Sequence, residues 1–318
     1  MAKISVIVPI YNVSTYIERC LHSLFKQTLQ DLEFIFVNDA TPDNSIEILQ
    51  SILKKYPGRI PQVKLIENPI NKGSATSRNL GIKEATGKYI IHCDADDYVD
   101  LTMYETLYNK AEESGSDMVM CDYYFIDGES CIKHNIPEWK EPKQYLIHWF
   151  DSQMDYSTVW NKLIKRDLIF KNNIFTYDGH DDGDDIVISI KYFYHIENIS
   201  IVNKPLYFYC RNNNSISTKK LTVETYSKRK KLIDKICEFL QDKPEYRLFC
   251  NNLKFNQKMR GLRLFADSPE KFYSLYEECH KDILKYKDNS IKSRILWKIA
   301  LSGPWTYKTL SKFLKVLK

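Results

Sequence analysis

The chain has eight cysteines but no C-x-x-C pair and no regular spacing among them, which excludes the common zinc and thioredoxin-type arrangements. Cys20, Cys93, Cys121, Cys131, Cys210, Cys237, Cys250 and Cys279 read instead as reduced thiols, several of them in apolar segments, as expected of a cytosolic protein. No run of about 18 apolar residues occurs, so no segment reads as membrane-spanning. Neither G-x-G-x-x-G nor G-x-x-x-x-G-K-[ST] is present, so Rossmann and P-loop modes of nucleotide binding fail on pattern. There is no internal repeat, and Asn212-Asn213-Asn214 is a short loop rather than a low-complexity tract. The opening Met1-Ala2-Lys3-Ile4-Ser5-Val6-Ile7-Val8-Pro9 is broken too early for a signal peptide and reads as a first strand.

What is present suits a folded α/β protein. A chain of 318 residues has room for one large domain and an appendage, and its 43% hydrophobic and 27% charged residues are ordinary proportions. The 22 tyrosines are numerous, and packing in the core accounts for them. The net charge of +5 is unevenly placed: residues 285–318 hold nine Lys/Arg against one acid, Asp288, so the remainder is slightly acidic. A nucleic-acid partner is therefore not indicated, because the basic charge is confined to the tail.

Short apolar runs alternate with helical periodicity. Strands are predicted over residues 4–8, 33–37, 63–66, 89–93 and 117–125. Helices are predicted from Ile17, Cys20, Leu21 and Leu24 with Ser14 or Thr15 as N-cap, from Ile46, Leu49, Ile52 and Leu53 behind Asp43 or Asn44, over 75–85 with Gly87 ending it, and over 101–113. The alternation predicts a doubly wound, mostly parallel sheet whose ligands bind at the strands' carboxyl ends. From about residue 127 the rhythm becomes irregular and aromatic-rich, and beyond residue 221 it reads as helical.

The polar clusters fall where such a sheet binds ligands. Tyr89-Ile90-Ile91-His92-Cys93-Asp94-Ala95-Asp96-Asp97 ends an apolar strand in three carboxylates, which repel one another and resist desolvation. A hard divalent cation removes that objection and can bridge to phosphate oxygens. A solvated acidic turn before the next helix is the simpler alternative. After the first strand, Pro9, Tyr11 and Asn12 could serve a base, with Tyr11 stacking, or form a packed turn. Asp39, in Val37-Asn38-Asp39-Ala40-Thr41-Pro42-Asp43-Asn44, could accept from a uracil or guanine N–H. A turn and helix cap explain Asp43 and Asn44 but leave Asp39 unexplained. Asn71-Lys72-Gly73-Ser74-Ala75-Thr76-Ser77-Arg78-Asn79-Leu80-Gly81 opens a helix with glycine, small residues and two cations, which suits phosphate or base binding through the helix N-terminus, Lys72 and Arg78.

These four elements, in this order and spacing, resemble the family 2 glycosyltransferases of the GT-A fold, over about residues 3–217. The resemblance implies an α/β GT-A domain over 1–218, with a nucleotide-binding half (1–98) and an acceptor half (99–218), followed by a helical region over 219–318. It implies that Pro9, Tyr11, Asp39 and Arg78, beside Asn12, Lys72 and Ala95, hold the nucleotide. Asp94 and Asp96 would ligate Mn²⁺ or Mg²⁺ on the donor diphosphate, with Asp97 nearby.

A second acidic cluster, Asp178-Gly179-His180-Asp181-Asp182-Gly183-Asp184-Asp185, then gains a meaning. An EF-hand reading fails, because Ser189 falls where a bidentate Glu is needed, and an acidic helix start is the remaining structural alternative. Family members carry a Glu/Asp-Asp before an apolar helix, whose second acid is the base. That implies Asp185, with Asp184 before it, although Asp181-Asp182 leave the register open. Trp160-Asn161-Lys162-Leu163 matches a family motif placed beside the acceptor, against the alternative of a packed Trp160. Arg211 with Ser215-Ile216-Ser217 resembles a flexible segment that folds over donor phosphates.

The sequence-level reading is an inverting, metal-dependent hexosyltransferase. It would use a nucleotide-sugar, a UDP-sugar first, and a glycan or lipid-linked saccharide acceptor in cell-surface polysaccharide synthesis. Leu310, Phe313, Leu314 and Leu317 opposite Lys308, Lys312 and Lys315, with Trp297, Lys298 and Trp305 upstream, suit a helix lying on the anionic inner face of the plasma membrane. A terminal helix docked on its own domain is the alternative. The rival function is a non-catalytic nucleotide-sugar or divalent-ion binding module; a nucleotidyltransferase lacks the glycine-rich basic loop it would need near Pro9.

Overall fold

The computed structural model describes residues 2–150, 156–212, 221–262, 264–265, 268–282, 299, 302–303, 305–307 and 309. The chain forms two compact units, one of Met1–Tyr145 and Tyr156–Ile216, the other of Leu146–Asp155 and Ser217–Lys318.

In the first unit the elements run β1 (Ile4–Ile10), α1 (Ile17–Phe25), β2 (Leu32–Asn38), α2 (Ser45–Leu53), β3 (Val63–Glu67), α3 (Ser74–Glu84), β4 (Tyr89–His92), β5 (Tyr98–Val99), α4 (Met103–Ser114), β6 (Met118–Asp127) and β7 (Ser130–His134). There follow α5 (Lys143–Ile147), β8 (Lys162–Lys165), α6 (Arg166–Lys171), α7 (Asp184–His195) and β9 (Ile199–Cys210). The strands form one sheet in the order β3-β2-β1-β4-β8-β6-β9-β5, with β7 paired to β6.

β3, β2, β1 and β4 are all parallel, so their carboxyl ends lie at one edge. Burial on both faces explains why β1 and β2 read as largely apolar runs: Ile4, Val6, Ile7 and Val8 are fully buried, as are Phe34, Ile35, Phe36 and Val37. Beyond β4 the sheet is mixed. β8 is antiparallel to β4 and β6, β9 is parallel to β6, and β5 is antiparallel to β9. In the middle of β9, Pro205 sits where the register with β6 shifts, between the aligned pairs Cys121–Val202 and Tyr123–Tyr207. A proline, which has no N–H for the ladder, is tolerated at such a bulge.

The ends of two helices depart from the sequence reading. α1 starts behind Tyr16 with no side-chain cap, while the Ser14 N–H donates to Asp43 Oδ2 at 2.8 Å. The glycine that ends a helix in the left-handed conformation is Gly115, after α4 with φ +67°, and not Gly87. Gly87 is required by close approach instead: a Cβ there would lie 2.6 Å from the backbone nitrogen of Ser5 on β1.

The second unit is helical among its described residues: α8 (Val223–Phe239), α9 (Arg247–Arg260) and α10 (Pro269–Ser274). A reciprocal cap opens α8, with the Thr225 N–H donating to Thr222 Oγ1 at 3.1 Å and the Thr222 N–H to Thr225 Oγ1 at 2.9 Å. Leu262, Phe272 and Tyr307 form a small core. Lys258 is buried, donating to the carbonyls of Tyr273 and Leu275, and burial pushes its ammonium down to about 8. Trp305 is 77% exposed. The other residues of the expected surface helix (Trp297, Lys298, Lys308, Leu310, Lys312, Phe313, Leu314, Lys315 and Leu317) lie outside the described residues. No helix among the described residues is long and apolar enough to cross a membrane. All eight cysteines are free thiols, with only Cys131 exposed.

The Gly87 contact gives a direct test of the fold. Gly87→Ala should lower stability by about 1–3 kcal/mol, because the added methyl must push β1 aside. A urea titration should show an earlier midpoint with an unchanged slope.

Candidate active site

The site lies where β1, β2 and β4 end. Asp39, one residue past β2, is 3% exposed. Its carboxylate accepts from Asn68 Nδ2 at 2.8 Å, from the Lys72 N–H at 2.9 Å and from the Gly73 N–H at 2.7 Å. Asp39 therefore pins the turn that leads into α3. A carboxylate offers about four acceptor positions, so one is left for a base N–H. Gly73 has φ +87°, and any side chain on it would run into the Asp181 carboxylate. Tyr11, just past β1, is 46% exposed, and the Asn12 N–H donates to Thr41 Oγ1 at 2.8 Å. Pro9 is the last but one residue of β1, aligned with Val37, and the Lys72 side chain is exposed.

α3 carries Ala75, Arg78 and Asn79 on one face, three and four residues apart, and all three grip the second acidic cluster. The Ala75 N–H donates to Asp181 Oδ1 at 3.1 Å, so an internal carboxylate caps the helix end expected to take phosphate. Asn79 donates to Asp178 Oδ1 at 2.9 Å and to the Thr176 carbonyl at 3.0 Å, and accepts the Thr176 N–H at 3.0 Å. Arg78 is 7% exposed; one of its terminal nitrogens contacts Asp184 Oδ2 and the other donates to Asp94 Oδ1 at 2.6 Å. Burial opposes the guanidinium's charge, but the carboxylates of Asp184, Asp94 and Asp185 outweigh it and raise its pKa. Burial pushes Asp184 up despite the pull of Arg78.

The Asp94–Asp97 turn is built from carboxylates that face different ways. The Asp94 side chain is 27% exposed. Asp96 accepts from Asn212 Nδ2 at 2.9 Å, and its main-chain carbonyl accepts from Arg19 at 3.0 Å. Burial, then the Asp94 charge, raises the Asp96 carboxyl above the usual range. Asp97 turns inward and is fully buried, taking the Tyr207 hydroxyl and the Cys210 N–H, each at 2.7 Å. Burial and the charges of Asp96 and Asp94 raise it well above the usual range. Ala95 is buried between the two candidate ligands. Two carboxylates at one strand end suit a magnesium- or manganese-like cation that fills its other positions with water and phosphate oxygens. No group of three or more His, Cys, Asp or Glu among the described residues is arranged to hold a metal by itself.

α7 begins with Asp184 and Asp185 behind Gly183, whose φ is +111°. Asp184 is buried against Arg78, while Asp185 is half-buried at the first turn, where the helix dipole favours negative charge. Trp160 is 4% exposed and stacks on Tyr207 at 4.1 Å, so its ring is packed. Lys162 is buried too, donating to Thr158 and Asn161. Arg211 is an exposed partner of Asp127 at 2.7 Å, and Ser215, Ile216 and Ser217 lie outside the described residues. The sequence reading omitted Arg19, Asn79, Tyr207 and Asn212. Asn79 and Asn212 stood within segments already singled out, at positions given no role there, but Arg19 and Tyr207 lay outside any pattern that marks a site.

A family model described as "Glycosyl transferase family 2" matches residues 5–171. The chain is 33% identical over 221 residues to the "Uncharacterized glycosyltransferase EpsJ" of Bacillus subtilis, a match covering 67% of this chain and 62% of that protein. It thus spans less than two thirds of that relative's length. Among solved structures, S. aureus TarS 1–349 in complex with UDP-GlcNAc superposes with a TM-score of 0.71 at 19% identity, covering 99% of this chain and 92% of that one. The mannosyltransferase PcManGT from Pyrobaculum calidifontis, in complex with GDP-Man and Mn²⁺, gives a TM-score of 0.53 at 15% identity, covering 98% and 85%. The fold is thus of the GT-A type.

Two outcomes follow from the buried charges. Arg78→Ala leaves Asp94 and Asp184 without their cation and should destabilise the protein by about 3–5 kcal/mol, read by thermal or urea unfolding; Arg78→Lys, which cannot span both, should recover only part. His92, at the end of β4, is buried with neither ring nitrogen hydrogen-bonded, and burial, then Arg78, pushes it down to about 3. The unfolded chain takes up that proton below about 6.5 and the folded chain does not, so stability should fall as pH drops from 6.5 towards 3. His92→Leu should flatten this dependence in urea midpoints measured at pH 7.5, 6 and 5.

Proposed function

The chain belongs to glycosyl transferase family 2, and on that premise we propose that it is an inverting, metal-dependent transferase. It moves a sugar from a nucleotide-sugar, specifically a UDP-sugar, to an acceptor hydroxyl in cell-surface polysaccharide synthesis. The observation that carries this reading is the Arg78 bridge. It holds Asp94, of the first acidic cluster, and Asp184, of the second, on one guanidinium. The two acidic clusters are thereby brought within a side chain's span although they lie far apart in sequence. Support for UDP comes from the fold shared with a protein solved in complex with UDP-GlcNAc, and support for a divalent ion from one solved with Mn²⁺.

Asp185 is the proposed base, and Asp184 is spent on Arg78. The Asp185 carboxylate takes the proton of the acceptor hydroxyl as that oxygen attacks the anomeric carbon. The new C–O bond forms on the face opposite the breaking bond to the diphosphate, which leaves with the electron pair, so the configuration inverts. Asp94 and Asp96 would hold Mn²⁺ or Mg²⁺, whose Lewis acidity neutralises charge on the departing diphosphate. Tyr11 offers an exposed face for the base, Pro9 and Asn12 shape the adjoining turn, and Asp39 fixes the backbone before α3. For Asp181 to cap α3 as it does, donor phosphates must bind beside that helix end or displace the carboxylate. The basic tail, nine cations against one acid, suits a lipid-linked acceptor at an anionic membrane surface.

Calorimetric titration with UDP and with GDP, in Mn²⁺ and again in EDTA, tests the reading. UDP should bind only with metal, and Asp96→Ala should abolish that binding. Asp185→Asn should bind UDP as the native chain does while transfer and donor hydrolysis fall by about 10²–10⁴. Nucleotide binding indifferent to EDTA, or full turnover by Asp185→Asn, would sink it. Metal-dependent binding by a native chain that never hydrolyses or transfers a donor would mark a binding module instead.

A further inference from the structure

Tyr207 lies on β9, fully buried, and no feature of the sequence singles it out. Its hydroxyl joins the two ends of the acidic turn, donating to Asp97 Oδ2 at 2.7 Å and accepting the Asp94 main-chain N–H at 3.1 Å. Its ring stacks on Trp160 at 4.1 Å with an interplanar angle of 11°. The loop before Trp160 is tied in turn to the candidate base helix, because Ser189 of α7 donates to the carbonyl of Ser157 at 2.7 Å. A continuous run of contacts thus links α7, through Trp160 and Tyr207, to the backbone that aims Asp94.

We propose that Tyr207, backed by Trp160, is a positioning residue that fixes the direction of the Asp94/Asp96 metal seat, an inference that rests on the function proposed above. The hydroxyl does not touch the reacting groups. It holds the peptide that carries one ligand and the buried carboxylate that anchors the turn. Partners of ligating groups act on metal affinity by limiting how far the ligands can swing. This gives the Trp160 motif a role without an open ring face: the indole seats the phenol.

Tyr207→Phe keeps the ring and removes the oxygen. In calorimetric UDP titrations across Mn²⁺ concentrations, the Mn²⁺ midpoint should rise about tenfold or more. The transfer rate at saturating Mn²⁺ should stay within a few-fold of the native value. Trp160→Phe, which loosens the stack but leaves the hydroxyl, should shift the midpoint in the same direction by less, and it serves alone if Tyr207→Phe does not fold. A merely structural role lowers the melting temperature without moving the Mn²⁺ midpoint, and an unmoved midpoint in the folded variants overturns the inference. If the native chain shows no metal-dependent UDP binding, the proposed function falls and this inference with it. If the native chain binds and the variants titrate alike, only the inference falls.

Discussion

One guanidinium organises this site. Arg78 is almost entirely buried, and a buried cation persists only where opposite charge surrounds it. Asp94 and Asp184 supply that charge from the turn after β4 and from helix α7. Asp184 would not be tolerated at its depth without the arginine, nor the arginine without the two carboxylates. The grip of α3 on residues 176–181 through Ala75 and Asn79 extends the same arrangement. The segment that looks like a phosphate-binding turn is thus first a platform for the second acidic loop, and Asp39 fixes where that platform begins.

Most of the parallel half of the sheet was legible because β1, β2 and β4 are buried on both faces and announce themselves as largely apolar runs. The second half was not. β8 is four residues long and opens with Lys162, whose ammonium is satisfied by Thr158 and Asn161 rather than by water. β9 is interrupted by Pro205, which ordinarily argues against a central strand and is accommodated here by a bulge. Gly87 was assigned to a helix end on local grounds, yet its requirement comes from β1, more than eighty residues earlier.

For the site, residue types were legible and directions were not. A row of three aspartates shows that charge is concentrated, but the row does not say that Asp97 turns inward while Asp94 stays open. Likewise Asp39 could be recognised as unexplained, whereas its three donors come from residues 68, 72 and 73 and exist only once β2 and β3 are paired. Trp160 has no sequence mark that separates a ring offered to sugar from one packed on Tyr207. Partners brought together by the fold are what decide these cases.

The irregularity in β9 has a consequence for which side chains meet. From the aligned pair Cys121–Val202 to the pair Tyr123–Tyr207, β6 advances two residues while β9 advances five. The surplus is odd, and side chains alternate faces along a strand. The bulge therefore acts as a parity switch. It turns Tyr207 and Tyr209 to the face that holds Trp160, and sends Phe208 to the opposite face, where it stacks on Tyr98. With an even surplus, a phenylalanine without a hydroxyl would stand beneath the acidic turn. The number of residues inserted around a proline thus selects which of two neighbouring aromatics stands beneath the acidic turn.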